Sequence, residues 1–202
     1  MEFVYVVKRE ELFPMETPYG LVTMDINPAL EFFELICARG FFVERDYAEQ
    51  TASLKQIIVY SVMHHGDMIF AMRRLDKCGE SRLHNRTSIG VGGHINPEDA
   101  VERDDLIHVA MAREIDEEVR CGDSTSRFIG IINDDRTPVG AVHLGVVFST
   151  RLHMKMIEMK EKDLMEGELV SIDDLKSEKW CPKEKLETWS SILLNRSEDW
   201  ID

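Results

Sequence analysis

The chain of 202 residues has few cysteines and no long hydrophobic run. Its four cysteines form no C-x-x-C pair and have no accompanying H-x3-H pattern, which argues against structural zinc and indicates reduced thiols. No stretch approaches the roughly 18 apolar residues of a membrane helix, and the N-terminus lacks the basic start and apolar core of a signal peptide. These absences predict a soluble, cytoplasmic protein that does not associate with membranes.

Basic side chains are also scarce. The chain has 24 lysines and arginines against 38 aspartates and glutamates, which gives a net charge of −14. Proteins that bind duplex DNA or RNA use clustered positive charge, so a nucleic acid duplex is not expected as a partner. A small phosphorylated metabolite remains compatible with this charge, because a divalent metal ion reverses the local field of an acidic site.

The length fits one domain with an appendage, and a chain of this size can bury a substantial core. We predict an N-terminal extension over residues 1–54, which packs on a main domain over residues 55–202. The extension is too short to hold a core of its own, although it is rich in apolar side chains. Dimerisation through this extension is a hypothesis that the sequence suggests.

The most informative stretch is Arg-Glu-Ile-Asp-Glu-Glu at residues 113–118. On a helix, Glu114, Glu117 and Glu118 share one face at spacings i, i+3 and i+4, where like charges cost roughly 0.2–0.5 kcal/mol per pair. A β-like run upstream, residues 88–94, contains the glycine pair Gly92-Gly93, which allows close approach of the backbone to a ligand. The pattern favours a site for a hard metal ion over a solvated acidic helix face.

These residues resemble the Nudix box of MutT-like hydrolases, G-x5-E-x7-R-E-U-x-E-E-x-G-U, in which U is aliphatic. The matching residues are Gly93, Arg113, Glu114, Ile115, Glu117 and Glu118. The segment between Gly93 and Arg113 is longer than in the family. Asp105 keeps the x7 spacing to Arg113 and Asp99 keeps the x5 spacing from Gly93, so either could stand for the acid of the motif.

The end of the box differs as well. Arg120 occupies the position of the final glycine, Cys121 the aliphatic position, and a glycine follows at Gly122. We expect this departure to alter the turn after the helix and to leave the carboxylates in place.

The resemblance implies a role for each matching residue. Glu114, Glu117 and Glu118 would bind Mg²⁺ or Mn²⁺, with the carbonyl oxygen of Gly93 as a further ligand. Arg113 would orient the helix carboxylates through a salt bridge, and Asp105 would complete that bridge.

The general base varies within the family. Glu166 and Glu168 are candidates from a segment after the box, and Glu118 could serve from the box itself. Three arginines on or near the strands that approach the glycine pair are candidates for binding substrate phosphate, since guanidinium groups pair well with phosphate. They are Arg73, Arg74 and Arg82.

The histidines carry weaker signals. His64 and His65 lie between two β-rich runs and are interpreted as turn residues of a hairpin rather than metal ligands. His143 lies within a predicted strand and is interpreted as structural.

The order of elements predicts an α/β fold with a mixed sheet and an N-terminal α+β extension, and the resemblance implies a Nudix-like α/β/α sandwich. Strands are expected at residues 3–7, 41–45, 56–63, 68–73, 88–94, 128–133, 141–148 and 166–172, and helices near residues 29–38, 106–119 and 183–194.

The resemblance implies a Nudix-type pyrophosphohydrolase that cleaves a phosphoanhydride in a nucleoside diphosphate linked to another moiety, or in a related small metabolite. An isopentenyl-diphosphate isomerase is disfavoured because residues 87–94 contain no cysteine. The alternative from another class is a catalytically silent Nudix-fold module that binds a ligand for regulation.

Overall fold

The computed structural model describes residues 1–75, 86–100 and 105–201. The strands are β1 (Phe3–Lys8), β2 (Gly20–Thr23), β3 (Phe41–Glu44), β4 (Leu54–His65), β5 (Met68–Arg74), β6 (Thr87–Ser88), β7 (Val91–His94), β8 (Val119–Cys121), β9 (Ser124–Asn133), β10 (His143–Leu152), β11 (Ile157–Met159) and β12 (Met165–Ser171). The α-helices are α1 (Arg9–Leu12), α2 (Ile26–Arg39), α3 (Arg45–Glu49), α4 (Leu106–Glu118), α5 (Pro138–Ala141), α6 (Ile172–Lys176) and α7 (Thr188–Leu194). Short 3₁₀ turns cover Pro97–Asp99, Lys183–Lys185 and Ser197–Asp199.

The fold is α/β with a mixed sheet, as the sequence predicts. The chain divides into two compact units. The first contains Met1–Tyr60, Gly92–Glu114 and Phe128–Val147, and the second contains Ser61–Val91, Ile115–Arg127 and Phe148–Asp202. β4, β9, β10 and α4 each continue from one unit into the other. The division into an extension over residues 1–54 and a domain over residues 55–202 stays a prediction.

In the first unit, β1 pairs antiparallel with β3 and with the start of β4, so that Val6 lies opposite both Phe41 and Gln56. Val4 and Val6 are fully buried. β2 pairs antiparallel with β9, from Gly20 opposite Asn133 to Thr23 opposite Gly130. The sequence predicts a loop around β2 because prolines flank it, and the strand forms because β9 supplies its hydrogen-bonding partner.

In the second unit, β12 pairs antiparallel with β5 along its whole length, from Met165 opposite Arg74 to Ser171 opposite Met68. Phe70, Met72 and Met165 belong to a buried cluster against which Ile115 of α4 packs. Side chains alternate along a strand, so Arg73 and Glu166 lie on the opposite face of this pair of strands.

The hairpin between β4 and β5 forms where the sequence predicts it, but His64 and His65 extend β4. The turn consists of Gly66 and Asp67, and Gly66 adopts φ +59°, a conformation that glycine accepts at little cost. His64 is buried, and its Nε2 lies 2.9 Å from Ser149 Oγ. The interpretation of these two histidines as turn residues is therefore corrected.

The helices also differ from the prediction at their ends. α2 begins at Ile26, before Pro28, because proline lacks an N–H that the first helical turn would leave unpaired anyway. α7 begins at Thr188 after a 3₁₀ turn, later than expected. Among the described helices, none is both long and apolar enough to cross a membrane.

Candidate active site

The helix α4 carries the acidic side chains of the box. Leu106, Ile107 and Ala110 are buried and hold the helix against the protein. Glu114 is 12% exposed, whereas Glu117 is exposed. With Glu118, these side chains occupy successive turns of one helix, so the spacing that the sequence predicts is present.

The acid that pairs with Arg113 is Asp99. Arg113 donates from Nε to Asp99 Oδ1 at 2.7 Å and from a terminal nitrogen to Asp99 Oδ2 at 2.9 Å. Asp99 is 1% exposed. Asp105 is 55% exposed and lies 3.0 Å from His108 Nδ1. The expectation that Asp105 completes the salt bridge is thus corrected in favour of the alternative that the sequence left open.

The 3₁₀ turn after β7 explains why Asp99 takes this place. The backbone N–H of Asn96 donates to Asp99 Oδ2 at 2.7 Å, which directs the carboxylate toward Arg113. Asp99 therefore keeps the x5 spacing of the motif from Gly93. The additional residues of this box lie between Asp99 and Arg113.

Arg113 connects this turn to the helix. It also donates to Glu114 Oε1 and to the carbonyl oxygen of His94, each at 2.9 Å. The hydrogen bonds to Asp99 raise the pKa of Arg113 further above its usual range. Arg113 therefore keeps its charge, and it fixes the carboxylate of Glu114 relative to the glycine pair.

Gly93 leaves the space that the carboxylate of Glu114 fills. A Cβ atom at residue 93 would lie 2.6 Å from Glu114 Oε1. Carboxylate and carbonyl oxygens are the ligands that Mg²⁺ prefers, so the donor chemistry around Gly93 and α4 fits such an ion. In the described conformation, residues 1–75, 86–100 and 105–201 contain no gathered group of three His, Cys, Asp or Glu side chains.

His94, directly after the glycine pair, is held in its neutral form. Its Nε2 lies 2.9 Å from Gln56 Oε1, and its ring centroid lies 5.5 Å from that of His143. Burial, with the nearby charge of Arg45, lowers the pKa of His94 to about 3. The Nδ1 atom of His143 lies 2.6 Å from the carbonyl oxygen of Val139. This contact agrees with the structural role predicted for His143.

The last turn of α4 continues directly into β8, where the family has a glycine. Lys160, which follows β11, donates its backbone N–H to the carbonyl oxygen of Glu118 at 2.9 Å. Its ammonium group contacts the carbonyl oxygen of Asp116 and lies 3.3 Å from Asp116 Oδ1. Sequence reasoning missed Lys160, since nothing near it in the chain marks it as a partner of the box.

The candidate bases Glu166 and Glu168 belong to a separate cluster. Arg73 donates to Glu166 Oε1 at 3.1 Å, and its guanidinium carbon lies 5.1 Å from the centroid of the Trp180 ring. Trp180 Nε1 donates to Glu168 Oε1 at 2.5 Å. Because the cluster lies on the face of β5 and β12 that points away from Ile115, it does not share the buried face that packs on α4.

The other two arginine candidates are Arg74 and Arg82. Arg74 Nε lies 3.9 Å from Glu187 Oε1, and Arg74 is half-buried. Arg82 lies outside the described residues.

Comparison with known proteins shows the family. The chain is 33% identical over 201 residues to Protein YmaB of Bacillus subtilis strain 168, and the match covers 96% of each protein. It is also similar to the crystal structure of Tm1382, a candidate Nudix hydrolase, with 32% identity, a TM-score of 0.79, and coverage of 97% and 98% of the two chains. No family model matches the chain.

A more distant neighbour shares the fold. The Nudix domain of Shewanella oneidensis NrtR, in complex with ADP ribose, has 13% identity and a TM-score of 0.54, with coverage of 71% of this chain and 86% of that domain. The likeness to Tm1382 over nearly the whole chain supports a Nudix-type hydrolase. The chain belongs to the Nudix hydrolase superfamily.

Proposed function

We propose that this Nudix hydrolase cleaves a phosphoanhydride in a nucleoside diphosphate linked to another moiety, and that it requires Mg²⁺ or Mn²⁺. The observation that carries the proposal is the box helix, on which Glu114, Glu117 and Glu118 follow Arg113 in the order of the family motif. The fixed geometry of Asp99, Arg113 and Glu114 supports it.

The proposed ligands are the carboxylates of Glu114, Glu117 and Glu118, with the carbonyl oxygen of Gly93. When bound, the metal ion neutralises phosphate charge and lowers the pKa of a coordinated water. Arg113 holds Glu114 in place, and the absence of a side chain at Gly93 leaves room for that carboxylate. Arg113 and Gly93 therefore position the Glu114 carboxylate in the absence of the metal ion.

For the general base we favour Glu117 or Glu118 over Glu166 and Glu168. Glu166 already accepts from Arg73, and Glu168 from Trp180. Each of these carboxylates would have to give up that partner before it could take a proton from water. Arg73 is a proposed phosphate ligand, and substrate phosphate would replace Glu166 as its partner.

Two observations support the proposed substrate class, the family and the composition. The net charge of −14 does not favour a long anionic polymer, and a small nucleotide fits better. ADP ribose, which the NrtR Nudix domain holds, is one candidate among several. The cytoplasmic location and the homodimer through residues 1–54 are further proposals, and light scattering on the full chain tests the dimer.

The experiment is phosphate and nucleotide release from a panel of nucleoside triphosphates, dinucleoside polyphosphates, nucleotide sugars, ADP ribose and NADH. Each reaction is run with Mg²⁺, with Mn²⁺ and with EDTA. We expect turnover of a diphosphate-linked nucleotide that EDTA abolishes. Thermal stabilisation by a panel compound without turnover would favour the silent binding module instead.

A further inference from the structure

The C-terminal end of α4 presents a structural problem at the place where two proposed metal ligands lie. The last carbonyl groups of any α-helix have no partner within the helix, and a glycine in a left-handed conformation commonly completes the end. Here Arg120 stands at the glycine position of the box, and α4 passes directly into β8 at Val119. The last turn therefore needs another partner.

Lys160 supplies that partner from a distant part of the chain. Its backbone N–H donates to the carbonyl oxygen of Glu118, and its ammonium donates to the carbonyl oxygen of Asp116. A single residue thus binds two carbonyl groups of the turn that carries Glu117 and Glu118. A cation at this end also complements the helix dipole.

The position of Lys160 is set by the pairing of β11 with β8. Met159 lies opposite Val119, and Glu158 lies opposite Arg120. Met159 is buried in the cluster against which Ile115 packs, so the residue after it cannot move far from the helix end. Lys160 is 33% exposed, whereas Lys162 is 66% exposed and pairs with Glu158.

We propose that Lys160 is a positioning residue that fixes the last turn of α4 and thereby directs the carboxylates of Glu117 and Glu118 toward the metal ion. This role rests on the proposed function of those glutamates. Lys160 thus binds the end of the helix at which Arg120 stands in place of the final glycine of the motif.

Simple electrostatics predicts the opposite effect on metal affinity. A lysine near a cation site repels the cation, so its removal alone would tighten binding. If Lys160 orders the ligands, its removal loosens them and weakens binding. The direction of the change therefore distinguishes positioning from charge.

The test is a titration of the full chain with Mn²⁺, in which electron paramagnetic resonance measures the free and bound Mn²⁺. The variants are Lys160→Met, which removes the ammonium group and keeps the backbone N–H, Lys160→Arg, the control Lys162→Met, and Glu118→Gln. We expect Lys160→Met to weaken Mn²⁺ binding by about 10-fold or more, as loss of a supporting partner does at other metal sites. Lys160→Arg and Lys162→Met should bind as the wild type does, and Glu118→Gln should bind far more weakly.

Unchanged or tighter binding by Lys160→Met, with weak binding by Glu118→Gln, would overturn the role of Lys160 and leave the metal site standing. A wild-type chain that binds no Mn²⁺ would overturn the metal site and this role together. If circular dichroism shows that Lys160→Met is unfolded, Lys160→Gln replaces it with the same expected weakening.

Discussion

Two neighbouring turns of α4 hold their acidic side chains in different ways. Glu114 is mostly buried and pairs with Arg113, which is bound by the buried Asp99. The last turn carries the exposed Glu117, and Lys160, from a distant part of the chain, binds the carbonyl oxygens of Asp116 and Glu118. The first arrangement uses residues of the box itself, and the second replaces a missing box residue. The two turns of one helix are therefore held by different parts of the chain.

The largest expected effect concerns the first of these arrangements. Asp99→Asn removes the charge that Arg113 faces in a buried site, and breaking such a pair costs about 3 kcal/mol of unfolding free energy. Asp105→Asn is the matched control, because the exposed Asp105 should contribute less than about 0.5 kcal/mol. Urea denaturation of both variants measures the difference. Equal losses for the two would contradict the assignment of Asp99.

A substitution at Gly93 tests whether activity depends on the position of the Glu114 carboxylate. Gly93→Ala places a methyl group against the Glu114 carboxylate, which should swing away and lower kcat/KM by about 10- to 100-fold. In the control Gly122→Ala, the nearest atom to the new methyl is the mobile end of Met156 at 3.2 Å. Steady-state kinetics at saturating Mg²⁺ give both values. Full activity in Gly93→Ala would show that the position of Glu114 does not matter.

The pH dependence of stability tests the burial of His94, the residue after Gly93. The folded protein keeps the pKa of His94 near 3, below its ordinary 6.5, so the unfolded chain binds the proton first as the pH falls. Stability is therefore lost below pH 6.5, by about 2 kcal/mol at pH 5 from this group. His94→Gln should lose correspondingly less stability between pH 7 and pH 5. Equal losses of stability in His94→Gln and in the wild type over this pH range would contradict the role of His94.

The smallest expected effect on activity concerns Glu166 and Glu168, the two glutamates of β12. Glu166→Gln and Glu168→Gln should each change kcat by less than about threefold, because these carboxylates hold Arg73 and Trp180 and do not serve as the base. The kcat of each variant on the best substrate of the panel measures this. A loss of a hundredfold or more in either variant would identify that glutamate as the base.

Much of the fold follows from local sequence patterns. The β4–β5 hairpin and α4 are predicted because their apolar residues repeat with the period of a strand or a helix. β2 is missed because its partner β9 lies more than 100 residues away, and flanking prolines suggest a loop. The fully buried Lys55 is missed for a similar reason, since Asn133 and Asp135 supply its hydrogen bonds from another part of the chain.

The residues of the candidate site also differ in whether local sequence identifies them. Glu114, Glu117, Glu118 and Arg113 are identified by spacing within one helix, and Gly93 by the glycine pair. The choice between Asp99 and Asp105 could not be made from spacing, because each keeps one interval of the motif. The structure decides it through burial and through the hydrogen bond from Asn96. Lys160 has no sequence signal, because its role depends on the pairing of β11 with β8.

The central claim is that the carboxylates of α4 hold the metal ion for phosphoanhydride hydrolysis. The most direct measurement is turnover of the best panel substrate by Glu118→Gln and by wild type across a Mg²⁺ titration, with circular dichroism to confirm folding. The account predicts a loss of about a thousandfold, equivalent to about 4 kcal/mol of transition-state stabilisation, in a folded variant. Wild-type turnover in a folded Glu118→Gln chain, at the same Mg²⁺ concentration, would contradict it.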